Sequence, residues 1–358
     1  MGLFIVLILV PIMLQHFTIK TPYQTNFERK NQRALAAFFL LLTLMIMFRH
    51  ETVGNDTQNY INHFERFSRM TWSEIGNDVE TGFAYFNKII SFFSKDPRFF
   101  LSVVAILVTA MIYPTYRRLC LDPSLTIVLF CSMATFVMMF SGVKQMLAIA
   151  LGFVAYEFTR RKMIIPFILA VMLAVTFHTS AFMLVFMYPL YHAKITKKWL
   201  YVVIPALLVV FIFNRQIFSS LMFVVERFTE YEGTVTQTGA YSMLFLFIIF
   251  AVFSFLIPKD SILDEETIGL RNFLLLSVVI QMFAPLHTLA MRMNYYYIIF
   301  IPLLLPKIIQ QKSERWKQIA VIARHVMLTF FFVYFFLRAS GGSNLNVFPY
   351  HFFWEDVL

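Results

Sequence analysis

The fold is decided by one stretch, Leu125–Ser180, which reads LTIVLFCSMATFVMMFSGVKQMLAIALGFVAYEFTRRKMIIPFILAVMLAVTFHTS. Three apolar runs follow one another there, parted only by the polar breaks around Ser141–Gln145 and Arg160–Lys162. None alternates with period two, and none keeps a polar face for water. They read as consecutive helices in a bilayer. The whole chain carries the same signature. Of its 358 residues 59% are hydrophobic and 14% charged, with 44 Phe and 20 Met, whereas a soluble domain is about 45–50% apolar and about 25% charged. That composition excludes a water-soluble globule.

Working outward, apolar runs fall at 2–17, 34–48, 99–115, 124–140, 143–158, 163–177, 179–191, 199–213, 241–257, 272–288, 293–306 and 318–337. The expected fold is an all-α polytopic integral membrane protein with about twelve transmembrane or re-entrant helices, forming a single membrane-embedded domain over 1–358. Several runs are shorter than the roughly 20 residues that cross an average bilayer, which points to tilted or re-entrant segments. With the N-terminus outside, the inside gaps hold eighteen Lys and Arg (Lys20, Lys259, Lys312 and Arg315 among them) against eleven outside, Arg227 included, so the positive-inside rule places both termini outside. Treating 163–191 as one helix would move Lys194, Lys197 and Lys198 outside. The rule therefore favours a break at His178-Thr179-Ser180, with His178 at the outer surface. The net charge of +10 is accounted for by these gaps, and no nucleic-acid partner is expected. The first run lacks a basic leader before it, so it is expected to stay as a span.

The largest non-membrane pieces are the outer loops 49–98 and 214–240. In the first, Tyr60, Phe64 and Phe67 recur at helical spacing, as do Val79, Phe83, Phe86, Ile90 and Phe93. These patterns predict two amphipathic helices lying in the interface, suited to a lipid-linked substrate.

Ionisable residues gather at the outer ends of spans: Arg49, Glu51 and Asp56 after the second, Lys144 at the start of the fifth, His178 between the sixth and seventh, and Arg292 at the start of the eleventh. Charge beside hydrocarbon is expensive, so a cluster at one depth indicates a polar site. Gly54 permits a turn of unusual backbone angles, and Asp56 or Thr57 can cap the helix beginning near Gln58. Ser141-Gly142 can turn between antiparallel spans, leaving Lys144 and Gln145 at a helix start. Plainer readings stand beside these: an N-cap for Asp56, interfacial anchors for Arg49 and Lys144, a structural histidine at 178, and an aromatic belt for Tyr295–Tyr297. No HExxH, Walker loop or GxGxxG occurs, so metal and nucleotide chemistry lack support and no cofactor is expected. Cys120 and Cys131 suggest neither a disulfide nor a metal site.

Arg49 with Val53-Gly-Asn-Asp-Thr57 and Tyr60, Glu80-Thr-Gly-Phe83, Val143-Lys-Gln-Met-Leu-Ala-Ile-Ala150, Phe177-His-Thr-Ser-Ala181, Arg292-Met-Asn-Tyr-Tyr296 and Phe348-Pro-Tyr-His-Phe-Phe-Trp354 resemble, in order, the EpsG family, which belongs with the Wzy-type polysaccharide polymerases. The resemblance implies a glycosyltransferase of the bacterial inner membrane that joins undecaprenyl-diphosphate-linked oligosaccharide repeats at the periplasmic face, in a pathway with a flippase and a chain-length regulator. Lys144 stands where the family usually has Arg, and a lysine cannot fork onto phosphate. For such a transfer Arg49, Lys144 and Arg292 are the candidates to hold the diphosphate. Asp56, His178, Glu51 or Glu80 can serve as the base, with His178 and Asp56 ranked first. Glu80, Gln145 and Tyr296 are candidates to contact sugar. The competing readings are a transporter or flippase of lipid-linked oligosaccharides, which would show repeats and midplane polar groups, and a membrane O-acyltransferase with His178 as base.

Overall fold

Proline and aspartate fix where several helices begin. In the computed structural model, which describes residues 1–15, 26–75, 80–224, 237–258, 261, 263–310, 317–341 and 345–357, Asp96 accepts from the Arg98 amide at 2.8 Å with Pro97 in the first turn. Asp122 does the same for Leu125 ahead of Pro123, and Asp264 for Thr267. Each carboxylate satisfies an amide that the helix leaves without a partner, and each proline sits where its missing N–H costs nothing.

The helices are α1 (Gly2–Leu14), α2 (Asn26–Met47), α3 (Thr57–Arg69), α4 (Trp72–Ile75), α5 (Thr81–Phe93), α6 (Pro97–Leu119), α7 (Pro123–Ser132), α8 (Ala134–Ser141), α9 (Val143–Arg160) and α10 (Ile164–Phe177). After a 3₁₀ segment over Thr179–Phe186 come α11 (Met187–His192), α12 (Leu200–Ile212), α13 (Asn214–Val224), α14 (Gln237–Leu256), α15 (Glu265–Gln281), α16 (Thr288–Ile298), α17 (Ile301–Ile309) and α18 (Lys317–Ser340). No strand occurs among the described residues. Every apolar run of the sequence meets a helix or a bent pair, but among the described residues length and composition qualify three helices to cross a bilayer, within α6, α14 and α18. Three pairs bent at a short break, among them α7–α8 at 64° and α16–α17 at 49°, bring the number to six. Gly2–Leu14, Asn31–Met47 and Ile164–Phe177 are shorter apolar helices. Val79, residues 16–17 of the first run, residues 225–236 of loop 214–240, and Lys20, Arg227, Lys259, Lys312 and Arg315 lie outside the described residues.

The chain forms two compact units. The first comprises Met1–Phe182 and Arg324–Leu358. Its centre is α7, every residue of which is buried, wrapped by an aromatic cluster in which Phe4 meets Phe136, Phe335, Phe348 and Tyr350. Its helices define two ends. At one, Asn31 reaches the Leu121 carbonyl, Arg118 pairs with Glu157 and Arg324 pairs with Asp122. At the other, the turn after α2, the start of α5, the α8–α9 junction and the end of α10 come together. The helices of the loop 49–98 exist, but α3 does not lie with its apolar stripe in an interface. Tyr60, Phe64 and Phe67 are buried: Tyr60 meets Phe83 edge-on, and Phe64 stacks on Phe100 of α6 at 4.8 Å. Only α4 and α5 expose large apolar side chains, Trp72, Ile89, Phe92 and Phe93.

The second unit is Met183–Ala323. α15 packs with α11, α14, α16 and α17. Polar side chains bind it internally: Asn272 donates to the Leu190 and Ala193 carbonyls, and Asn294 donates to Ser277 and Gln281. Arg271 lies over the Phe255 ring at 3.9 Å and donates to the Ile195 carbonyl.

Candidate active site

The predicted break at His178 is present. α10 ends at Phe177, and His178 adopts an extended conformation (φ −155, ψ 122) before the chain re-enters a helix of a different kind. That break turns the imidazole toward the start of α5. His178 Nδ1 lies 2.7 Å from Glu80 Oε1, and the Thr179 amide donates to the same oxygen at 3.2 Å. The other carboxylate oxygen, Oε2, pairs with Lys144 Nζ in the first turn of α9. Gly82 makes this approach feasible, because a Cβ there would collide with Thr176 of α10.

Glu80 is the hub. Its side chain and that of His178 are 12% and 13% exposed, and that of Lys144 33%. Burial raises the Glu80 pKa, but the hydrogen bond and charge of His178, followed by Lys144, outweigh it and hold the carboxyl at about 2 instead of 4.5. An ionised carboxylate can only accept, so Nδ1 carries a proton and Nε2 is the nitrogen left for other chemistry.

A second cluster forms beside it. Gly54 takes φ +90, and a Cβ there would strike the Phe140 carbonyl and the Thr57 hydroxyl. Thr57 donates to the Val53 carbonyl at 2.6 Å and lies 3.2 Å from the Phe140 carbonyl. The turn thereby seats itself on the C-terminus of α8, whose carbonyls lack helical partners. Asp56 occupies the N-cap position of α3, but its side chain does not cap. It faces Ser141 Oγ at 3.4 Å instead, which corrects the capping expectation. The helix starts at Thr57, not Gln58.

Arg49 turns inward. It is 3% exposed, donates to the Ile46 carbonyl at 2.5 Å and reaches Thr57 Oγ1 at 3.4 Å, while Nη2 is buried without a partner. Burial lowers its pKa to about 10, which leaves it protonated at neutral pH. Over it runs the C-terminal strap. Phe353 N donates to Phe48 O, His50 N to His351 O, Gly54 N to Asn346 O and Asn55 N to Leu345 O, and Tyr350 donates to the Met45 carbonyl at 2.7 Å. Arg98 covers the Phe353 ring at 3.9 Å.

Of the sequence-predicted residues, then, Glu80, Lys144 and His178 are in direct contact, and Arg49 and Asp56 anchor the adjoining turn. Glu51 is exposed on that turn, and Gln145 is buried behind Lys144. Arg292, half-buried, and Tyr296, 1% exposed, belong to α16 of the second unit. Sequence reasoning named Thr57 only as a cap, Ser141 only as a turn residue, and Gly82 and Tyr350 only within the family blocks, and assigned none of them a part in holding the site. Gly82, two residues from Glu80, was the one local signal available. Among the described residues no group of three or more His, Cys, Asp or Glu is placed to hold a metal.

The family model for the EpsG family matches residues 33–352, nearly the whole chain, and takes in Arg49, Asp56, Glu80, Lys144 and His178. The protein is a member of the EpsG family. EpsG-family membership makes it a membrane protein of the polysaccharide-polymerase type. No curated protein and no solved structure matches it.

Proposed function

We propose that this EpsG-family protein is a Wzy-type glycosyltransferase that polymerises undecaprenyl-diphosphate-linked oligosaccharide repeats at the periplasmic face of the bacterial inner membrane. The observation that carries the reading is the Glu80 carboxylate, which holds His178 Nδ1 and Lys144 Nζ together at the ends of three helices. In the transfer, the anomeric C–O bond of the growing glycan to its lipid diphosphate breaks and a new C–O bond forms to a hydroxyl of the incoming unit. The hydroxyl proton passes to His178 Nε2, whose tautomer Glu80 fixes. Lys144, a third exposed beside them, meets the negative charge that grows on the departing diphosphate, in a site where nearby hydrocarbon strengthens the attraction. Glu80 is thus a positioning residue and not a sugar ligand. Arg49 braces the turn 49–57 in the folded form described. The excess of Lys and Arg in the opposite set of loops supports the periplasmic facing.

The test is reconstitution of the purified protein with an undecaprenyl-diphosphate-linked repeat unit. Wild type should give a ladder of products, and His178→Ala only the single repeat. A ladder from His178→Ala would remove the histidine from the chemistry. Movement of the lipid-linked unit across the bilayer without elongation would turn the reading to a flippase.

A further inference from the structure

Bracing the turn 49–57 does not account for the charge on Arg49. The guanidinium reaches two neutral oxygens, the Ile46 carbonyl and Thr57 Oγ1, and its Nη2 is buried with no acceptor among the described residues. A neutral donor could make the two bonds that exist. A buried cation with an N–H left open is costly, and the bond it leaves open is one that an anion fills.

Over Arg49 lies the strap, whose Phe352 pairs with it in an antiparallel bridge. The two halves of the strap are held differently. Val347 and Phe348 are buried, Phe348 against Phe4 and Phe335, and Tyr350 packs on Phe4 and Phe140, which fixes the inner half in the aromatic cluster. Beyond Tyr350 the chain is a thin layer: His351, Phe352 and Phe353 are half-buried, and Trp354 is exposed. Phe352 and Trp354 stack on each other at 4.5 Å, a contact that travels with the strap. The outer half is tied down by the bonds from His50 N to His351 O at 2.8 Å and from Phe353 N to Phe48 O at 3.0 Å, by Phe48 against Phe353 and Trp354, and by Arg98 over the Phe353 ring. Bonds of this kind are individually modest and exchange readily for bonds to water.

We propose that residues 351–354 form a gate over a phosphate-binding site made of the Arg49 guanidinium and the His50 amide, a step that rests on the polymerase reading for the identity of its ligand, a phosphate of the lipid-linked substrate. With the gate shut, the His351 carbonyl occupies the His50 N–H. A phosphate brings full charge to both groups, where the carbonyl brings a dipole to one. The position suits the chemistry: the turn that carries Arg49 faces Ser141 through Asp56, three residues before Lys144.

The Arg49–Phe352 bridge sets His50 opposite His351, where Cβ atoms lie about 5 Å apart, within reach of a disulfide. In the full chain, His50→Cys combined with His351→Cys therefore locks the gate on oxidation and frees it on reduction, while Cys120 and Cys131 are buried. The oxidised double variant should lose glycan elongation and regain it when reduced, and neither single variant should respond to oxidant. Phenylglyoxal, which modifies accessible arginines, gives a readout that needs no activity. Mapped on peptides, Arg49 should be modified in the reduced double variant, spared in the oxidised one, and protected in the reduced one by inorganic pyrophosphate. A locked protein that still makes the ladder, or Arg49 labelled alike in locked and freed protein, would overturn the gate, and labelling that pyrophosphate does not slow would overturn the phosphate site. A wild type that makes no ladder would instead refute the polymerase reading, and the labelling comparison would still decide the gate.

Discussion

Replacing Glu80 by Gln keeps the shape of the side chain and deletes the charge on which His178 and Lys144 converge. The carboxyl is held at about 2 against an ordinary 4.5. At 1.36 kcal/mol for each tenfold change in proton affinity, that preference for the ionised form is worth about 3 kcal/mol to the folded protein. Because the folded pKa is depressed, this contribution is complete above pH 4.5 and is lost as pH falls from 4.5 toward 2. At pH 7, where His178 acts as a base and so brings its hydrogen bond but not a charge, the amide should therefore cost less than about 3 kcal/mol, and the melting temperature of the detergent-solubilised protein should fall by less than about 4 °C. The gap between variant and wild type should be nearly unchanged at pH 5 and shrink as melting curves are repeated at pH 4 and 3. A gap of constant size across that range, or no gap at pH 7, would show that the carboxylate is not stabilised by its two partners. Glycan elongation is a separate readout. With an amide the imidazole keeps only a neutral acceptor and Lys144 faces an N–H donor where Oε2 stood, so elongation should fall at pH 7 even at a temperature where the variant remains folded.

Other consequences concern parts that act more locally. His178→Gln should reduce elongation about 10²–10⁴-fold, the usual worth of a positioned base, at normal protein level in membranes; a reduction of less than tenfold in the reconstituted assay would place the proton acceptor elsewhere. Gly54→Ala puts a Cβ on the Phe140 carbonyl at φ +90 and should cost about 2 kcal/mol or more, seen as loss of folded protein in fluorescence-detected gel filtration, whereas wild-type yield would mean the turn can move. Tyr350→Phe removes the hydrogen bond to the Met45 carbonyl and should lower stability by about 1 kcal/mol; limited proteolysis should then release the C-terminal strap faster, and an unchanged cleavage rate would count against the strap being held there.

The helical class was legible because it depends on composition and run length, and these need no tertiary knowledge. The break at His178 was legible through charge, since the lysines at 194, 197 and 198 had to be accounted for. What periodicity does not settle is the partner of an apolar stripe. Tyr60, Phe64 and Phe67 have the spacing of an interfacial helix, yet all three are buried, Tyr60 on Phe83 and Phe64 on Phe100, while it is Phe92 and Phe93 of α5 that remain exposed. The bend between α7 and α8 was illegible for another reason: it falls at Met133, with neither proline nor glycine to mark it, and is held by Ser132, which donates to the Phe331 carbonyl 199 residues away. The site divides in the same way. His178 and Lys144 were visible as charges at the ends of apolar runs, and Glu80 only as part of a block resembling the family. That Glu80 joins the other two was not, because the partners lie 98 and 64 positions away in sequence.

The placement of the three at helix termini has its own logic. Lys144 stands in the first turn of α9, where the exposed amides already present partial positive charge and a cation is unfavourable. A carboxylate at that point offsets both. Glu80 is available to supply it because it is itself at the N-cap position of α5 without capping it, so its oxygens are free to reach outward and accept from the Thr179 amide, the imidazole and the ammonium. The ammonium is then held at a helix start only as long as Glu80 is ionised. Under the proposed function, an approaching diphosphate would offer the same ammonium and the same amides a second, stronger anion. Lys144 can shift from the carboxylate to the phosphate without ever leaving the N-terminus of α9 uncompensated, and His178 keeps its own hydrogen bond to Glu80 throughout. Lys144→Ala removes the exchange but not the orientation of the imidazole, and so should weaken binding of the lipid diphosphate while leaving the Glu80–His178 pair formed.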